Sequence, residues 1–259
     1  MIINEILRSL LPLIVLNGFV ILLLVVFSFI YPRRAKDPIV LERMHKSFLG
    51  VFLREFWYWV TLPFISIFRI LKLTPNMITG ISLVFALISG YYYYRGNFAF
   101  AGWILIISGT LDILDGRLAR TTGQVSQEGA FFDSCVDRYC DGLVFMGLAL
   151  YFRNDFLVLS TSIMALIGSE VVSYARAKGE SVGIESYRGL MQRGERIFLL
   201  SSISVLHPFF MVVLSEYGIK AEYPMIIVII ILAFSTNYTA VDRIVTTFKK
   251  IRNLDKRDG

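Results

Sequence analysis

The chain has 259 residues, of which 56% are hydrophobic and 18% charged, and its mean hydropathy is +0.64. Soluble domains carry roughly 25% charged residues, so this composition excludes an ordinary water-soluble globular protein. The net charge of +6 suits a surface facing anionic lipid headgroups, and the basic residues form no aromatic-interleaved patch of the kind that binds nucleic acid.

The first apolar run, residues 10–31, is long enough for an α-helix to cross the hydrocarbon core. It exceeds a signal-peptide core and shows no small-residue cleavage pattern, which predicts a retained anchor within residues 1–40. Segment 41–72 mixes basic and aromatic residues, which predicts an interfacial amphipathic helix with Trp57, Tyr58 and Trp59 at headgroup level. A further, charged crossing is the alternative for this segment.

Six more apolar runs predict membrane-spanning helices. They cover residues 76–94, 98–120, 127–152, 156–178, 196–214 and 223–243. The predicted fold is therefore all-α and multi-pass, with a six-helix core inside a membrane domain at 41–247. Residues 248–259 are expected to form a basic tail that frays at the membrane surface. Most Lys and Arg residues fall on one side of the alternating spans, so we expect this side to face the cytoplasm, in the cell (inner) membrane.

Aspartates form two stripes in the middle of this apolar chain. They are Asp112, Asp115, Asp133, Asp137 and Asp141. Positions three and four apart share a helix face, so the first two aspartates lie together, as do the last three. The connection at 121–126 is short, which predicts antiparallel helices whose carboxylates converge. The first aspartate precedes Arg120 by eight residues, about 12 Å at the helical rise, which places the cluster below the headgroups and open to the cytoplasm.

Carboxylates at membrane depth need compensating charge. Four of them would cost on the order of 10 kcal/mol on insertion scales, before their mutual repulsion. Arg117, Arg120 and Arg138 offset part of this, and the remainder predicts bound Mg²⁺ or Mn²⁺, two ions of which would cancel four negative charges. Paired hard cations suit phosphoryl transfer. The alternatives are an ion-pair network that only holds helices together and a divalent-cation transporter.

Eight positions in this region match a known signature, D-x2-D-G-x2-A-R-x8-G-x3-D-x3-D. They are Asp112, Asp115, Gly116, Ala119, Arg120, Gly129, Asp133 and Asp137. The chain thereby resembles the CDP-alcohol phosphotransferase family from residue 41 onward, and TPNMIT at 74–79 looks like that family's entry to its first core helix. The resemblance implies a homodimeric enzyme of phospholipid biosynthesis. It would transfer a phosphatidyl-type group from a CDP-linked lipid, such as CDP-diacylglycerol, to an alcohol and release CMP, with the lipid tails in grooves between apolar spans.

The resemblance also implies roles for individual residues. The metal ligands would be Asp112, Asp115, Asp133 and Asp137, and Asp137 would also take the proton from the acceptor hydroxyl. The CDP moiety would be held by Pro75, Asn76, Gly116, Arg120 and Ser126. Glycine allows close approach, and arginine offers two donors to a pyrophosphate. Asp141 lies outside the signature and is assigned no direct role. A catalytically silent lipid-binding protein of the same fold is an alternative that the intact signature disfavours.

The basic stretch 171–197 resembles the pattern in phosphatidylinositol phosphate synthases and their archaeal relatives, where it holds the acceptor's phosphate. By this resemblance the acceptor site comprises Ser173, Arg176, Lys178, Arg193 and Arg196. The expected acceptor is therefore a phosphorylated polyol such as inositol phosphate or glycerol phosphate. Two departures, Lys178 in place of Arg and Gly194 in place of Pro, leave serine, choline and free inositol open. Arg188 also lies in this stretch, and for this residue an ordinary basic loop position is as good an interpretation as acceptor binding.

Overall fold

The computed structural model describes residues 2–33, 51–184, 189 and 191–258, and all regular structure within these ranges is helical. The helices are α1 (Ile2–Ile30), α2 (Val51–Ile70), α3 (Pro75–Tyr94), α4 (Phe98–Thr122), α5 (Gln127–Tyr151), α6 (Phe156–Ser181), α7 (Arg193–Val205), α8 (His207–Ser215) and α9 (Tyr223–Asp258). A 3-10 turn at Tyr31–Arg33 follows α1. The all-α prediction is confirmed, whereas the expectations for residues 34–50 and for Arg188 lie outside the described residues.

Five described helices are long and apolar enough to cross a membrane, namely α1, α3, α4, α6 and α9. The pair α7 and α8 makes a sixth candidate if it is counted as one bent span. Although α5 has 25 residues, it is too polar in composition to be counted, because it carries the last three aspartates of the signature region. It packs against α3 and α6. The chain is a multi-pass membrane protein whose acidic helix is placed by packing rather than by hydropathy.

The span predicted at 196–214 is not one continuous helix. The chain breaks at Leu206, and the axes of α7 and α8 differ by 45°. Pro208 lies in the first turn of α8, where proline is tolerated because the missing N–H has no partner in a first turn; inside a continuous helix it would clash with the preceding turn. The predicted span is therefore divided between two helices, and α7 starts at Arg193, three residues before the predicted start.

The basic tail does not fray as expected, because α9 continues as a helix to Asp258. Residues 225–258 contain neither glycine nor proline. Nothing in the local sequence therefore ends the helix where the apolar stretch gives way to basic residues.

Small residues bring the helices around the aspartates into close contact. A Cβ atom on Gly147 of α5 would collide with the carbonyl oxygen of Gly90 in α3. On α4, a Cβ atom on Gly102 would lie 2.6 Å from the Cβ of Ser204 in α7. Glycine at these positions lets the backbones approach, as small residues do in membrane helices generally. These contacts fix the spacing of α3, α4, α5 and α7, the four helices that build the site.

An apolar core fills the end of the bundle remote from the aspartates. It includes the fully or almost fully buried side chains of Tyr93, Phe98, Leu148, Ile229 and Leu232. The Tyr93 hydroxyl lies 2.7 Å from Ser204 Oγ, so this buried polar group is paired. The core ties α3, α4, α5 and α9 together at one end, and the acidic ends of α4 and α5 are held in place from there.

Helix α2 is bound to α4 by polar contacts rather than lying free at the headgroups. Arg117 donates hydrogen bonds to the carbonyl oxygen of Tyr58 at 2.9 Å and to Thr61 Oγ1 at 3.0 Å, and its guanidinium lies 4.3 Å from the centroid of the Tyr58 ring. Trp57 Nε1 donates to Thr110 Oγ1 at 3.1 Å. Tyr58 is 9% exposed. The aromatic residues expected at headgroup level therefore contact protein, and Arg117, expected to offset the aspartates, binds α2.

The first helix is attached to α2 through a cluster of rings. Phe27 of α1 is fully buried and packs against Phe52, Phe56 and Trp59, with ring centroids 5.4–5.6 Å apart. Most other large side chains described in α1 are exposed, as expected of a helix surrounded by lipid. Within the described residues, the predicted anchor is therefore joined to α2 by these ring contacts.

Candidate active site

Two antiparallel helices carry the aspartates, and the turn between them sets their arrangement. Helix α4 ends at Thr122, where Gly123 adopts a left-handed backbone conformation with φ +69°. Ser126 then caps α5, because its Oγ accepts a hydrogen bond of 3.0 Å from the N–H of Gly129. The predicted short connection is confirmed at residues 123–126, and both acidic stripes face the same space.

The structure brings three of the four predicted metal ligands into one group. Asp112, Asp133 and Asp137 each offer one carboxylate oxygen, and these atoms all lie within 4.8 Å of one another. Asp115 lies outside this group: it is 4% exposed, and its Oδ2 accepts a hydrogen bond of 2.5 Å from Thr79 Oγ1 of α3. It still lies within electrostatic range of Asp112 and Asp133. We call these three grouped carboxylates the acid cluster.

Arg193, in the first turn of α7, reaches directly into the acid cluster. Its Nη1 lies 2.5 Å from Asp112 Oδ1 and 2.6 Å from Asp137 Oδ1. Its Nε lies 3.4 Å from Asp141 Oδ1. One guanidinium therefore joins α4, α5 and α7, and a residue predicted to bind the acceptor lies beside the residues predicted to bind metal.

Asp141, one turn beyond Asp137, is part of a buried ion pair. Its Oδ2 accepts a hydrogen bond of 2.6 Å from Nη2 of Arg196, and the two side chains are 7% and 3% exposed. Arg196 also donates from Nη1 to the carbonyl oxygen of Met191 at 3.4 Å. A buried charge without a partner is strongly destabilising, so each member of this pair requires the other. Asp141, assigned no direct role from the sequence, is the shared counter-ion of Arg193 and Arg196.

The acidic residues around this site outnumber the basic ones. The carboxylates of Asp112, Asp115, Asp133, Asp137 and Asp141 face the guanidinium groups of Arg138, Arg193 and Arg196, a formal charge of −2 when all are ionised. Arg138 approaches Asp137 only to 3.9 Å. Asp133 Oδ1 is buried and has no hydrogen-bond partner in the described part of the chain. A pure carboxylate group with excess negative charge fits a hard divalent cation, and an ion-pair network alone accounts for part of it.

The residues predicted to hold the CDP moiety surround the turn between α4 and α5 and the start of α3. They are Pro75, Asn76, Gly116, Arg120 and Ser126. A Cβ atom on Gly129 would lie 3.1 Å from Ser126 Oγ and 3.3 Å from Asn76 Oδ1, so the first turns of α3 and α5 meet there. A Cβ atom on Gly116 would lie 3.4 Å from Nη1 of Arg120, whose side chain is exposed. These groups form two small polar patches, one of Asn76 and Ser126 beside Gly129 and one of Arg120 beside Gly116.

The residues predicted to bind the acceptor fall into two sets. Arg193 contacts the acid cluster, and Arg196 contacts Asp141 beside it, as described above. Ser173, Arg176 and Lys178 lie in the second half of α6, where Arg176 is exposed and pairs with Glu180 at 2.8 Å. Lys178 is also exposed, and Ser173 Oγ donates back to the carbonyl oxygen of Ser169 at 3.2 Å. The ion pair described for this second set, Arg176 with Glu180, joins two positions of α6 and does not link α6 to the acid cluster.

One site residue, Thr79, was missed from the sequence, and another, Asp141, was placed on the acidic stripe but given no direct role. Asp141 continues the four-residue step from Asp133 through Asp137, which places it on the same helix face. Thr79 lies four residues after Pro75 and hence on the same face of α3 as the start of TPNMIT. Both positions follow from helical periodicity, but their partners do not.

Comparison with known families agrees with this arrangement. Residues 72–247 match the family model described as CDP-alcohol phosphatidyltransferase. The match runs from the end of α2 to well inside α9 and includes the acid cluster, Asp141, Arg193 and Arg196. The chain belongs to the CDP-alcohol phosphatidyltransferase family.

Curated relatives carry closely related names. The chain is 38% identical to the archaetidylinositol phosphate synthase of Pyrococcus horikoshii over 138 residues, which are 53% of this chain and 72% of that protein. It is 29% identical to the phosphatidylinositol phosphate synthase of Streptomyces avermitilis over 218 residues, which are 81% of this chain and 86% of that protein.

Solved structures share the fold. The phosphatidylinositol phosphate synthase of Mycobacterium tuberculosis, crystallised with CDP-DAG bound, superposes with a TM-score of 0.64 at 23% identity, over 73% of this chain and 94% of that one. The same enzyme in complex with manganese and citrate superposes equally well, over 73% of this chain and 88% of that one. At this identity the likeness concerns the fold.

Fold, site and family together define the activity. The chain is a multi-pass membrane transferase that moves a phosphatidyl-type group from a CDP-linked lipid to the hydroxyl of a small polar alcohol, with release of CMP. The carboxylate group of α4 and α5 is consistent with use of a divalent metal ion.

Proposed function

We propose that the acceptor of this transferase is a phosphorylated polyol, inositol phosphate in the first place, and that the donor is CDP-diacylglycerol. The observation that carries this proposal is the position of two arginines: Arg193 contacts Asp112 and Asp137 of the acid cluster, and Arg196 pairs with Asp141 one helical turn away. A phosphate on the acceptor loses water when it binds, and strong hydrogen-bond donors must offset the cost. Guanidinium groups provide such donors. The relatives named for inositol phosphate products support the same choice.

Asp112, Asp133 and Asp137 would hold the metal, Mg²⁺ or Mn²⁺, with Asp115 completing a site for two ions. When bound, these ions supply positive charge to the pyrophosphate and to the oxygen that leaves with CMP. Asp112 and Asp115 approach from α4 and the other two ligands from α5, so the ligands lie on two helices that both pack against α3, and none of them lies on a loop. Asp115 is oriented by its hydrogen bond from Thr79.

The nucleotide end of the donor would lie over the turn between α4 and α5. Asn76 and Ser126 offer polar side chains on one side of the turn, Pro75 helps to shape the start of α3, and Arg120 offers a guanidinium fork beside Gly116. Small residues at Gly116 and Gly129 leave space for the pyrophosphate to approach the helix backbones.

Asp137 would act as the general base. It accepts the proton from the acceptor hydroxyl as the hydroxyl oxygen attacks the lipid-linked phosphorus. The bond between that phosphorus and the bridging oxygen breaks, and CMP leaves with the bridging oxygen. Asp137 suits this role because it belongs to the acid cluster and also contacts Arg193, so acceptor and base would be held side by side. Arg193 and Arg196 bind the acceptor's phosphate, while Ser173, Arg176 and Lys178 line its approach from α6.

We further infer a homodimer in the cell (inner) membrane, with the active site facing the cytoplasm. The family commonly forms homodimers, and the excess of basic residues on the acid-cluster side supports this orientation. Nucleotide donors and sugar phosphates are also supplied from the cytoplasm.

The decisive experiment is an acceptor screen with the purified protein in liposomes. It supplies CDP-diacylglycerol or its archaeal ether analogue, Mg²⁺ or Mn²⁺, and one acceptor at a time, and measures CMP release and the lipid product. We expect turnover with inositol phosphate, weak or no turnover with free inositol, serine or choline, and complete loss with EDTA. Turnover confined to uncharged acceptors would contradict the proposal. Metal flux into the vesicles without CMP release would instead support a transporter.

A further inference from the structure

Arg193 occupies the position of a cation in the acid cluster. Its Nη1 lies 2.5 Å from Asp112 and 2.6 Å from Asp137, and these carboxylates belong to the group that could ligate a metal ion. Mg²⁺ binds carboxylate oxygens at about 2.0–2.1 Å. A guanidinium nitrogen and a divalent ion cannot both sit between the same two carboxylates, because they would overlap and repel each other. The Arg193 side chain must therefore move when metal binds.

Asp141 offers Arg193 a second, fixed partner. Its Oδ1 is already 3.4 Å from Nε of Arg193, while its Oδ2 is bonded to Arg196 and is thereby held in one orientation. The carboxylate is buried and lies outside the group of possible metal ligands. A cavity of about 20 Å³, enough for about one water molecule, borders Asp141, Arg193 and Arg196, so the side chains are not fully packed on this side. Asp141 can thus keep hold of Arg193 without competing for the metal.

We propose that Asp141 is a positioning residue that retains the Arg193 guanidinium beside the site when metal takes Asp112 and Asp137. Arg193 then has two states, one bonded to the acid cluster and one held by Asp141 with its free nitrogens turned to the acceptor. Metal binding selects the second state. The assignment of the freed nitrogens to the acceptor's phosphate rests on the proposed function; the competition between Arg193 and metal does not.

This arrangement couples the binding of metal to the binding of the acceptor. Because Arg193 and metal compete for the same carboxylates, metal should raise the affinity for a phosphorylated acceptor, and the acceptor should raise the affinity for metal by the same factor. Removing Asp141 should return Arg193 fully to the acid cluster and weaken metal binding.

The test is a double-mutant cycle in which Mn²⁺ binding to the full-length protein is measured by electron paramagnetic resonance. We expect Arg193→Gln to lower the Kd for Mn²⁺ about tenfold, because a competing cation is removed. We expect Asp141→Asn to raise this Kd about tenfold when Arg193 is present, but about threefold or less in the Arg193→Gln background, where only the lost negative charge acts. Equal effects of Asp141→Asn in both backgrounds would overturn the proposal, as would weaker Mn²⁺ binding by Arg193→Gln.

Two further variants keep the test informative. Asp141→Asn leaves Arg196 without its counter-ion and risks misfolding, so the cycle is repeated with Arg196→Gln, which removes the buried charge. Asp242→Asn, which changes an exposed carboxylate of α9, serves as the matched control and should leave the Kd for Mn²⁺ within about twofold. Non-additivity between positions 141 and 193 in the Arg196→Gln background supports the proposal, and additivity there contradicts it.

A second experiment, the acceptor arm, measures acceptor binding and separates this proposal from the proposed function. Binding of inositol phosphate is measured with and without Mn²⁺, and we expect Mn²⁺ to tighten binding about fivefold or more in the wild type but less than twofold in Arg193→Gln. If the enzyme does not use phosphorylated acceptors, all variants fail in this arm while the Mn²⁺ cycle keeps its result. If Mn²⁺ tightens acceptor binding equally in wild type and Arg193→Gln, the positioning role is wrong.

Discussion

Arg193 and Arg196 at the start of α7 and Arg176 and Lys178 near the end of α6 belong to one basic segment of the sequence, yet their surroundings differ. The side chains of the first pair are 14% and 3% exposed and bonded to carboxylates of α4 and α5, whereas the Arg176 side chain is 49% exposed and pairs with a neighbour in its own helix. Ion pairs at an exposed surface contribute about 0–1 kcal/mol, while breaking a buried pair costs several kcal/mol. Residue type alone therefore does not tell which of these basic residues contribute most to the site, whereas their burial does.

The sharpest test of the buried side is Asp137→Asn, because Asp137 contacts Arg193 and also lies in the acid cluster. We expect CMP release to fall by about 10³-fold or more, since the amide cannot accept the proton. Binding of the CDP-lipid should stay within about threefold. Turnover close to the wild-type rate would refute the role of Asp137 as base, and Asp242→Asn provides the exposed control.

A smaller but specific effect is expected at Arg196. Arg196→Gln should raise the KM for inositol phosphate about 30-fold, because it removes a charge-assisted bond and leaves Asp141 with Arg193 as its remaining described ion-pair partner. Arg196→Lys should recover part of the loss, since it keeps the charge but not the fork. The KM for the CDP-lipid should change less than about threefold in both variants. An equal rise in both KM values would indicate a general distortion instead.

Arg117 tests whether burial of an arginine is enough to make it important for acceptor binding. It is buried, and its described hydrogen bonds run to α2. Arg117→Gln should lower the midpoint of thermal unfolding by about 3–10 °C, because charged hydrogen bonds contribute roughly 1.5–3 kcal/mol. The KM for the acceptor should stay within about threefold. A large rise in that KM without loss of stability would show that the contact between α2 and α4 controls the site directly.

The smallest effects are expected on the exposed side of the comparison. Arg176→Gln and Lys178→Gln should each change kcat/KM for inositol phosphate by less than about threefold, because exposed charges are solvated and screened. The effect should shrink further as salt is raised. A tenfold loss in either variant would mean that α6 contacts the acceptor as closely as α7 does, and the division into two sets would then fail.

The parts of the fold that local patterns control were predicted well. Apolar length located the helices from residue 75 to residue 181 to within a few residues, and the four-residue spacing of Asp133 and Asp137 placed both carboxylates in one group with Asp112. Errors arose where local pattern was incomplete. The break at Leu206 depends on Pro208 inside an apolar run, and the tail stays helical because no residue interrupts it.

The sequence by itself determined the membrane class, the helical stripes and the carboxylate chemistry, because each depends on residues within one or two helical turns. The tertiary structure alone decided which arginines meet these carboxylates. Arg193 and Asp112 are 81 positions apart in the chain, and Arg196 and Asp141 are 55 apart. No local periodicity relates such positions, since their distance depends on how closely α4 packs against α7 and α5 against α3. Gly102 lies at the first of these contacts and Gly147 at the second, and both let the backbones approach.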